Sequence, residues 1–574
     1  MNGPVLLLGG GPGLATSGLL YLGSYLRRHG VEAYARPFDG AQSLVELERR
    51  LHHLLDRFRP SVVGISLKWF LHIHRALHAA RVIKAHDPAI KVVLGGDTAS
   101  HYYRELLEFD CVDWVIRGDG EAALLGIARG KEHPNAWRRG KSEQKLVGLG
   151  DLYLQRRDAD DSLLADLDAI FLCESDGYWL PPFVVGGKGC SQGCLYCGGA
   201  RGAQAENFGR RKSFMRPLDN VRNDIVELMS RAYCLVYDFS DHPLADPTQE
   251  LRRLWSGLDL SQAGILYYAW RVPPPGFVEL LASSHQAVTL GLDFGCFSER
   301  QRRALIRAHL LKPLPDDAEF LSIIEECRRY PNVRVRVSAV AGLPLSEPGD
   351  LDAERRLVEK LVGWDHVEDV LFDRVHAQPG APLLADPERF GMASPVRSFA
   401  DFLAWSERHA PNGEYEPPLL RHAASPEADL AIDRAHRELH ELVNTALAAR
   451  APDAARFSEF NDVAERRFVR TPRSRVLNRY WPRRWWLDFE RPEMPDAALD
   501  EEQARIAFGH VWQEEFGAIS VPAKVADYVL PVFDQPRRGA EALAEIRARG
   551  AAIDPAALTS IIRFFYERGI VEEA

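Results

Sequence analysis

Residues 189–199 read GCSQGCLYCGG and place Cys190, Cys194 and Cys197, three of the chain's eight cysteines, on one glycine-rich segment. Thiolates with the spacing C-x3-C-x2-C can bind one face of an iron–sulfur cube and leave one iron without a protein ligand. The glycines let such a loop fold tightly around the cluster. The preceding PFVVGG predicts a β-strand, so the loop is expected at a strand's carboxyl end, where barrel enzymes carry their chemistry.

A structural zinc site is the alternative interpretation of these cysteines. Zinc usually takes four protein ligands, and Cys173 or Cys234 would have to complete the set. Both lie in apolar, strand-like segments, where a cysteine is more commonly a small core residue. Cys111, Cys296 and Cys327 are interpreted as core or incidental residues. The pattern therefore favours an iron–sulfur cluster over zinc.

Length and composition predict a multidomain protein without a membrane span. The 574 residues suggest roughly three or four domains, and the chain has no apolar run near the roughly 18 residues that a membrane helix needs. The net charge of −10 argues against a general affinity for nucleic acid. Without a secretion signal, the cysteines indicate a reducing compartment, so we expect a cytoplasmic protein.

The first third alternates strand-length apolar runs with amphipathic helical stretches, a pattern that predicts a doubly wound parallel sheet. Glycine-bearing loops follow several of these strands, where open α/β sheets bind their ligands. The GGGPG of residues 9–13 is not a dinucleotide fingerprint, because Leu14 stands where the last glycine should be. The predicted strands are 4–10, 61–67 and 91–97, residues 112–121 are predicted as a strand followed by a loop, and the predicted helices include 19–28, 73–86 and 102–109.

The cysteine segment resembles the motif of the radical S-adenosylmethionine (SAM) superfamily, with Tyr196 as the aromatic residue before the third cysteine. Later segments are similar to the successive strands of that family's partial (β/α)6 barrel. They are CLVYDFSDHPLAD (234–246), LYYAWRVPP (266–274), VTLGLDFGCFSERQRR (288–303), VRVSAVAGLPLSEPGD (335–350) and HAQPGAPL (376–383).

The N-terminal region resembles the cobalamin-binding domain that precedes the barrel in one large subgroup. The residues that carry this resemblance are VGIS (63–66), VVLGGDTA (92–99) and IRGDGE (116–121). Together the resemblances imply a cobalamin-binding Rossmann-like domain over 1–145, a radical SAM core over 146–392 and a mostly helical domain over 393–574. Its end, 519–574, is similar to a small winged-helix unit, of the kind that binds leader peptides in some peptide-modifying enzymes, or else a cap on the active site.

The resemblance also implies binding residues. For SAM these are Tyr196, Asp241, Arg271, Asp293, Ser338 and Leu343. For cobalamin they are Gly13, Ser66, Lys68, Trp69, Gly95, Gly96, Asp97, Thr98, Gly118, Gly120 and Glu121. Two departures stand out. The D-x-H-x-x-G motif that supplies a histidine to cobalt is missing, which would leave Lys68 or Trp69 beneath the cobalt. Asp293 replaces the usual glutamate of the fourth strand and has a shorter reach.

The implied activity is that of a cobalamin-dependent radical SAM enzyme, most simply a methyltransferase for an unactivated carbon. Its cofactors would be a [4Fe-4S] cluster, SAM and cobalamin, with a 5′-deoxyadenosyl radical and methylcobalamin as reactive species. Flavodoxin or ferredoxin would supply electrons, and the substrate would be a small molecule or a peptide. Two alternatives remain open: cyclisation, rearrangement or oxidation without methyl transfer, and a zinc- or cluster-stabilised binding scaffold.

Overall fold

The fold was obtained as a computed structural model that describes most of the chain. The described residues are 3–9, 14–37, 43–142, 144–147, 183–230, 236–240, 247–261, 263–269, 271–409, 417–423, 426–450, 454–471, 474–477, 503–508, 517–522 and 524–574. Four residues considered above, Gly13, Cys173, Cys234 and Asp241, lie outside this set.

The N-terminal domain is built on a six-stranded sheet in the order β2-β1-β3-β4-β5-β6, parallel except for the last pairing. Its central strands are apolar throughout because helices cover both faces of the sheet. The strands are β1 (Val5–Gly9), β2 (Ala33–Pro37), β3 (Val62–Ser66), β4 (Lys91–Gly95), β5 (Trp114–Ile116) and β6 (Ala136–Trp137). The helices are α1 (Leu14–Arg28), α2 (Leu44–Phe58), α3 (Ile73–His86), α4 (Asp97–His101), α5 (Tyr103–Leu106) and α6 (Glu121–Ala128).

The central domain is built on a second six-stranded sheet, entirely parallel, with the strand order β14-β13-β12-β11-β10-β7. The sequential order is that of a partial barrel, in which each strand is followed by a helical crossover. The strands are β7 (Phe183–Val184), β10 (Val236–Ser240), β11 (Gly264–Ala269), β12 (Ala287–Gly295), β13 (Val333–Ala341) and β14 (Val367–Arg374). A short antiparallel pair, β8 (Gly187–Lys188) and β9 (Phe214–Met215), lies beside the cysteine loop.

Helices pack against the outside of this sheet and complete its core. They are α7 (Arg201–Phe208), α8 (Leu218–Ser230), α9 (Pro247–Trp255), α10 (Phe277–Ser284), α11 (Glu299–Arg307), α12 (Asp317–Cys327) and α13 (Asp350–Val362). One hydrophobic cluster runs from this core into one face of the N-terminal sheet, where it includes Leu7 and Val62. The two domains therefore share apolar packing.

The chain after the barrel returns to the N-terminal domain. Phe399 and Phe402 of the helix Phe399–His409 belong to the hydrophobic cluster on the other face of the first sheet, where both rings contact Tyr102. A later helix packs on the barrel, where Arg374 forms an ion pair with Asp433. The elements of this region are α14 (Pro382–Ala385), β15 (Met392–Ala393), α15 (Phe399–His409), β16 (Arg421–His422) and α16 (Pro426–Ala448).

The last part of the chain has its own hydrophobic core around two small antiparallel sheets. The strand Arg467–Arg470 is the central strand of the first sheet, where it pairs with two strands from the range 519–574. The sheet therefore includes a strand that comes before the winged-helix-like unit expected over 519–574. The elements are α17 (Phe460–Ala464), β17 (Arg467–Arg470), β18 (Ser474–Leu477), β19 (Gln503–Phe508), β20 (Gly517–Pro522), β21 (Arg537–Arg538), α18 (Gly539–Ala548), α19 (Pro555–Glu567) and β22 (Val571–Glu573). Across the described part of the chain, none of the helices has the length and apolar character needed to cross a membrane.

Candidate functional site

A single cavity of about 990 Å³ lies where the carboxyl ends of the first sheet face the mouth of the barrel. The first sheet and its loops contribute residues from Leu7 to Leu124, and the barrel contributes residues from Val185 to Leu371. The predicted site residues that line it are Ser66, Lys68, Gly95, Gly96, Asp97, Gly118, Gly120, Glu121, Cys190, Cys194, Tyr196, Cys197, Asp293 and Ser338. The fold thus brings most of the predicted cobalamin-binding, SAM-binding and cluster-binding residues into one space.

The cysteine loop is held by main-chain contacts to two other parts of the barrel. The Leu195 N–H donates to the Leu310 carbonyl (2.8 Å), and the Leu195 carbonyl accepts from the Leu383 N–H (3.0 Å). The Gly198 N–H donates to Oε1 of Gln378 (2.9 Å). These bonds fix the loop independently of any bound group, so the three thiols are presented to the cavity by the fold itself.

The surroundings of the three sulfurs fit an iron–sulfur cluster. Backbone N–H groups point at each of them: Gln192 N–H to Cys190 Sγ (3.4 Å), Gly199 N–H to Cys197 Sγ (3.3 Å) and Lys312 N–H to Cys194 Sγ. Such donors stabilise negative charge on thiolate sulfur and tune the potential of a bound cluster. Burial raises the pKa of Cys194, and it raises the pKa of Cys197 to about 11, so metal binding at these sites must displace protons.

The three cysteines of this loop are not gathered around a single point. Within the described ranges, no three His, Cys, Asp or Glu side chains come close enough together to hold one metal ion. A zinc ion needs its thiolates to converge on a single point, whereas the thiolates around a cube each bind a different iron. Cys190, Cys194 and Cys197 all line the same cavity, as binding to one cube requires.

The loops after β3 and β4 form the floor of the cavity on the side of the first sheet. Gly96 adopts φ +108°, and a Cβ there would lie 2.8 Å from the Leu67 carbonyl oxygen, so only glycine fits. The Thr98 hydroxyl donates to the Lys68 carbonyl (2.8 Å) and joins the two loops without lining the cavity. Trp69 is 42% exposed and lies outside the cavity, so Lys68 is the member of that pair that faces it.

Lys68 and Asp97 are opposite charges in this floor, where Lys68 is half-buried and Asp97 lies among protein atoms but opens onto the cavity. Burial lowers the pKa of Lys68, and the nearby Asp97 carboxylate acts in the opposite direction. Burial raises the pKa of Asp97, which Lys68 partly offsets. Each group thus stabilises the charged form of the other against the cost of burial.

The loop after β5 binds the barrel through buried charges. Asp119 forms an ion pair with Arg210 in which both side chains are only 7% exposed. The Lys188 ammonium lies 3.3 Å from Oε1 of Glu121 and 3.9 Å from Oδ1 of Asp119. Arg117 donates to the Glu206 carbonyl (2.9 Å) next to this junction. Glu121, expected as a cobalamin contact, is thus also part of the domain junction.

The predicted SAM residues fall into three groups. Tyr196, Asp293 and Ser338 line the cavity. Leu343 is buried in the small core beneath the cysteine loop, and Arg271 is exposed and does not line the cavity. Sequence reasoning missed Lys312, whose ammonium lies 2.7 Å from Oδ2 of Asp293. Nothing in its local sequence marks it, because it reaches the site only through the fold.

Comparisons with known proteins agree with this arrangement. Residues 11–128 match the family of the B12 binding domain. Two solved structures of the radical S-adenosylmethionine methyltransferase TsrM from Kitasatospora setae are also similar, each with a TM-score of 0.55. The structure with cobalamin and a [4Fe-4S] cluster bound is 16% identical and aligns over 77% of this chain and 91% of that chain. The structure with tryptophan substrate and the SAM analogue aza-SAM is 15% identical and aligns over 76% of this chain and 88% of that chain.

No curated protein matches the chain. At such low identity the structural similarity establishes the fold, an α/β B12-binding domain followed by a barrel of the radical SAM type. The predicted fold class and the predicted resemblance to cobalamin-binding radical SAM enzymes are both confirmed.

Proposed function

We propose that this protein is a cobalamin-dependent radical SAM enzyme that methylates an unactivated carbon of its substrate. One observation carries the proposal: the three cysteines and the glycine loops of the B12-binding domain line the same cavity. If a cluster and a corrin were bound in two separate cavities, they could not take part in one reaction. A shared cavity instead suits a reaction in which cluster, SAM, cobalamin and substrate meet.

When bound, the cluster and SAM supply hydrogen abstraction from an unactivated carbon, and cobalamin supplies a transferable methyl group. Cys190, Cys194 and Cys197 hold the cluster, and the N–H groups around them stabilise its thiolates. Asp293 and Lys312 form a half-buried ion pair beside the cysteines, where they can orient the polar groups of SAM. A [4Fe-4S] cluster, SAM and cobalamin are therefore the cofactors of the proposal.

Apolar side chains make up much of the remaining wall and exclude water from the reacting groups. On the side of the first sheet they are Leu7, Leu19, Leu22, Val93, Ile116 and Leu124. A water-poor cavity protects a carbon radical from side reactions. The proposal includes a cytoplasmic setting in which flavodoxin or ferredoxin supplies the electron.

Two other functions would use the same cavity differently. An enzyme with both cofactors can cyclise, rearrange or oxidise its substrate without methyl transfer. A binding scaffold would hold the cofactors and never cleave SAM. The polar Asp293–Lys312 pair beside the cysteines favours catalysis over a purely structural cluster, because a structural cluster has no need of a charged cavity next to it.

The test is anaerobic purification and reconstitution with iron, sulfide and cobalamin, followed by assays with methyl-labelled SAM and a reductant. We expect roughly four irons per chain, bound cobalamin, release of 5′-deoxyadenosine and label in the product. A Cys190/Cys194/Cys197→Ala variant should lose iron and all SAM cleavage. Cys327→Ala, which changes a cysteine on α12 away from the cavity, should keep both.

The possible results separate the three functions. SAM cleavage without labelled product points to the non-methylating enzyme. Zinc in place of iron, or a cluster that never cleaves SAM, leaves the scaffold as the better description.

A further inference from the structure

We propose that an acidic electron-carrier protein docks on the outer face of the cysteine loop, against a basic rim formed by Arg201, Arg211 and Lys212. The inference rests on the proposed function, since that reaction needs an electron at the cluster. In the step, the reduced carrier is oxidised by one electron and the cluster is reduced by one electron, and no proton or group moves. The carrier is a protein of the flavodoxin or ferredoxin class.

The cysteine loop is a thin wall between the cavity and solvent. Cys190, Gln192 and Cys194 line the cavity. The residues that alternate with them, Ser191 and Gly193, are exposed and do not line it. A Cβ on Gly193 would meet no atom within 4 Å. A carrier bound to the outside of this loop is therefore separated from the cluster ligands by one layer of chain.

The sequence around this loop is basic, although the whole chain has a net charge of −10. Residues 177–218 contain one carboxylate, Glu206, and six cations: Lys188, Arg201, Arg210, Arg211, Lys212 and Arg216. Clustered charges of one sign create a local potential that the net charge of the protein does not describe. The part of the chain that binds the cluster is thus also a locally positive part.

The six cations divide into two groups. Those at positions 188, 210 and 216 lie against carboxylates and belong to the domain junction or the barrel. Arg201, Arg211 and Lys212 are exposed, and none of them forms an ion pair with another residue of the part of the chain that the structure describes. An approaching protein therefore meets these three charges at the surface.

Main-chain contacts place the basic rim against the cysteine loop. The Arg201 N–H donates to the Gln192 carbonyl (2.8 Å), and the Gln192 N–H points at Cys190 Sγ (3.4 Å). A Cβ on Gly189 would lie 3.2 Å from the Lys212 carbonyl oxygen. The rim thus adjoins the loop at two points, one directly before the first cysteine and one two residues after it.

Position and charge together indicate the partner. In the proposed reaction SAM and the substrate occupy the cavity, so the outer face of the loop is left for delivery of the electron. Redox encounters between proteins use small interfaces, and opposite charges speed and orient them. Flavodoxins and many ferredoxins are acidic proteins. A basic rim attracts them locally, against the repulsion from the net charge of the chain.

The experiment measures binding of flavodoxin and of ferredoxin to the reconstituted holoenzyme by biolayer interferometry at low ionic strength. We expect Arg211→Glu/Lys212→Glu to weaken carrier binding roughly tenfold, because repulsion replaces attraction at the rim. The matched control is Arg328→Glu/Arg329→Glu, which reverses two exposed charges just before β13, at the amino ends of the barrel strands. It changes the net charge equally and should bind the carriers like the wild-type protein.

Reduction of the cluster, followed by electron paramagnetic resonance, gives a second readout. With reduced flavodoxin, the rim variant should be reduced roughly tenfold more slowly than the wild-type protein, in line with the weaker encounter. With titanium(III) citrate, a small reductant that needs no docking, the two proteins should be reduced at the same rate. Equal iron content in both proteins shows that the loop still holds the cluster.

Four results would overturn the inference. The first is equal weakening in the rim variant and the control, which would make net charge the cause. The second is a wild-type protein that binds neither carrier at low ionic strength. The third is carrier binding that persists unchanged at an ionic strength of about 0.5 M, where exposed charges are largely screened. The fourth is a glutamate-rich peptide that binds the rim as tightly as the carriers, which would assign the surface to acidic peptides.

The milder variant Arg211→Gln/Lys212→Gln tests the rim if the charge reversal fails to fold, and the salt dependence of the wild-type protein needs no variant. Binding and cluster reduction are measured without turnover, so failure of the proposed function is seen separately. Rim-dependent carrier binding without any cleavage of SAM would refute the proposed function and leave the docking surface standing.

Discussion

Gly198, directly after the third cysteine, shows how tightly the cysteine loop packs against the barrel. A Cβ at this position would lie 2.6 Å from the Pro379 carbonyl oxygen. The neighbour is backbone, so it cannot rotate away as a side chain could. The Gly198 N–H also donates to Gln378, which belongs to the same returning segment.

We therefore expect Gly198→Ala to displace the cysteine loop, at a cost of about 1–3 kcal/mol in unfolding free energy. Iron content after reconstitution should fall together with the stability. Gly202→Ala is the matched control, because no atom lies within 4 Å of the Cβ that it adds and alanine favours the helix α7. Equal iron content in both variants would show that the loop tolerates the displacement.

At the scale of elements, helix α13 carries a buried acid that makes stability depend on pH. Burial raises the pKa of Glu354 to about 7, and the neighbouring Asp350 adds to the rise. A glutamate in the unfolded chain has a pKa near 4.3. Between these values the folded protein binds more protons than the unfolded chain, so this group's contribution to stability falls as the pH rises.

Glu354→Gln removes that dependence, since an amide does not titrate. We expect the variant to gain about 1–3 kcal/mol over the wild-type protein at pH 8. The gain should be clearly smaller at pH 5 and should vanish only below about pH 4, where the glutamate is protonated in the unfolded chain as well as in the folded protein. Urea unfolding at the two pH values measures the difference. A gain of the same size at both values would rule out titration of Glu354 as its cause.

Elements with a strong periodic pattern were predicted well from the sequence. The helix expected over 73–86 is Ile73–His86, and the strand expected over 61–67 is Val62–Ser66. Residues 102–109 were expected to form one helix, and the helix there is the shorter Tyr103–Leu106, preceded by a separate helix at Asp97–His101. The break comes at Tyr102, whose φ of −105° and ψ of 34° are not helical and whose ring packs against α15. A contact with a helix some 300 residues later leaves no trace in local sequence.

The residues of the candidate site also fall into two groups, those that the sequence identifies and those that only the fold reveals. The cysteines and the glycine loops are local motifs, so sequence alone identifies them. Lys312 and Arg210 carry no motif, and they reach the cavity only because strands and loops distant in sequence meet there. Their roles follow from ion pairs, which a single sequence does not contain.

At the scale of the whole molecule, the B12-binding domain meets the barrel through shared apolar packing and through the buried pair Asp119–Arg210. Removal of one partner from a buried ion pair costs about 3–5 kcal/mol, of which the Lys188 ammonium, 3.9 Å from Asp119, offsets part when Arg210 is the residue removed. The junction can avoid this cost by opening, which would let water reach the charge. Opening would separate the loops after β3 and β4, which form the cavity floor on the side of the first sheet, from the cysteine loop.

We therefore expect Asp119→Ala or Arg210→Ala to weaken cobalamin retention roughly tenfold or more, given that cost, while iron content stays near the wild-type value. The double variant should retain more cobalamin than either single variant, because it removes both charges of the pair together. Retention is measured by absorbance after gel filtration of the reconstituted protein. Arg138→Ala, which breaks an exposed pair with Glu132 in the same domain, serves as control and should change nothing. If both single variants retain cobalamin like the wild-type protein, the domains are held by apolar packing, and the ion pair is not what aligns them.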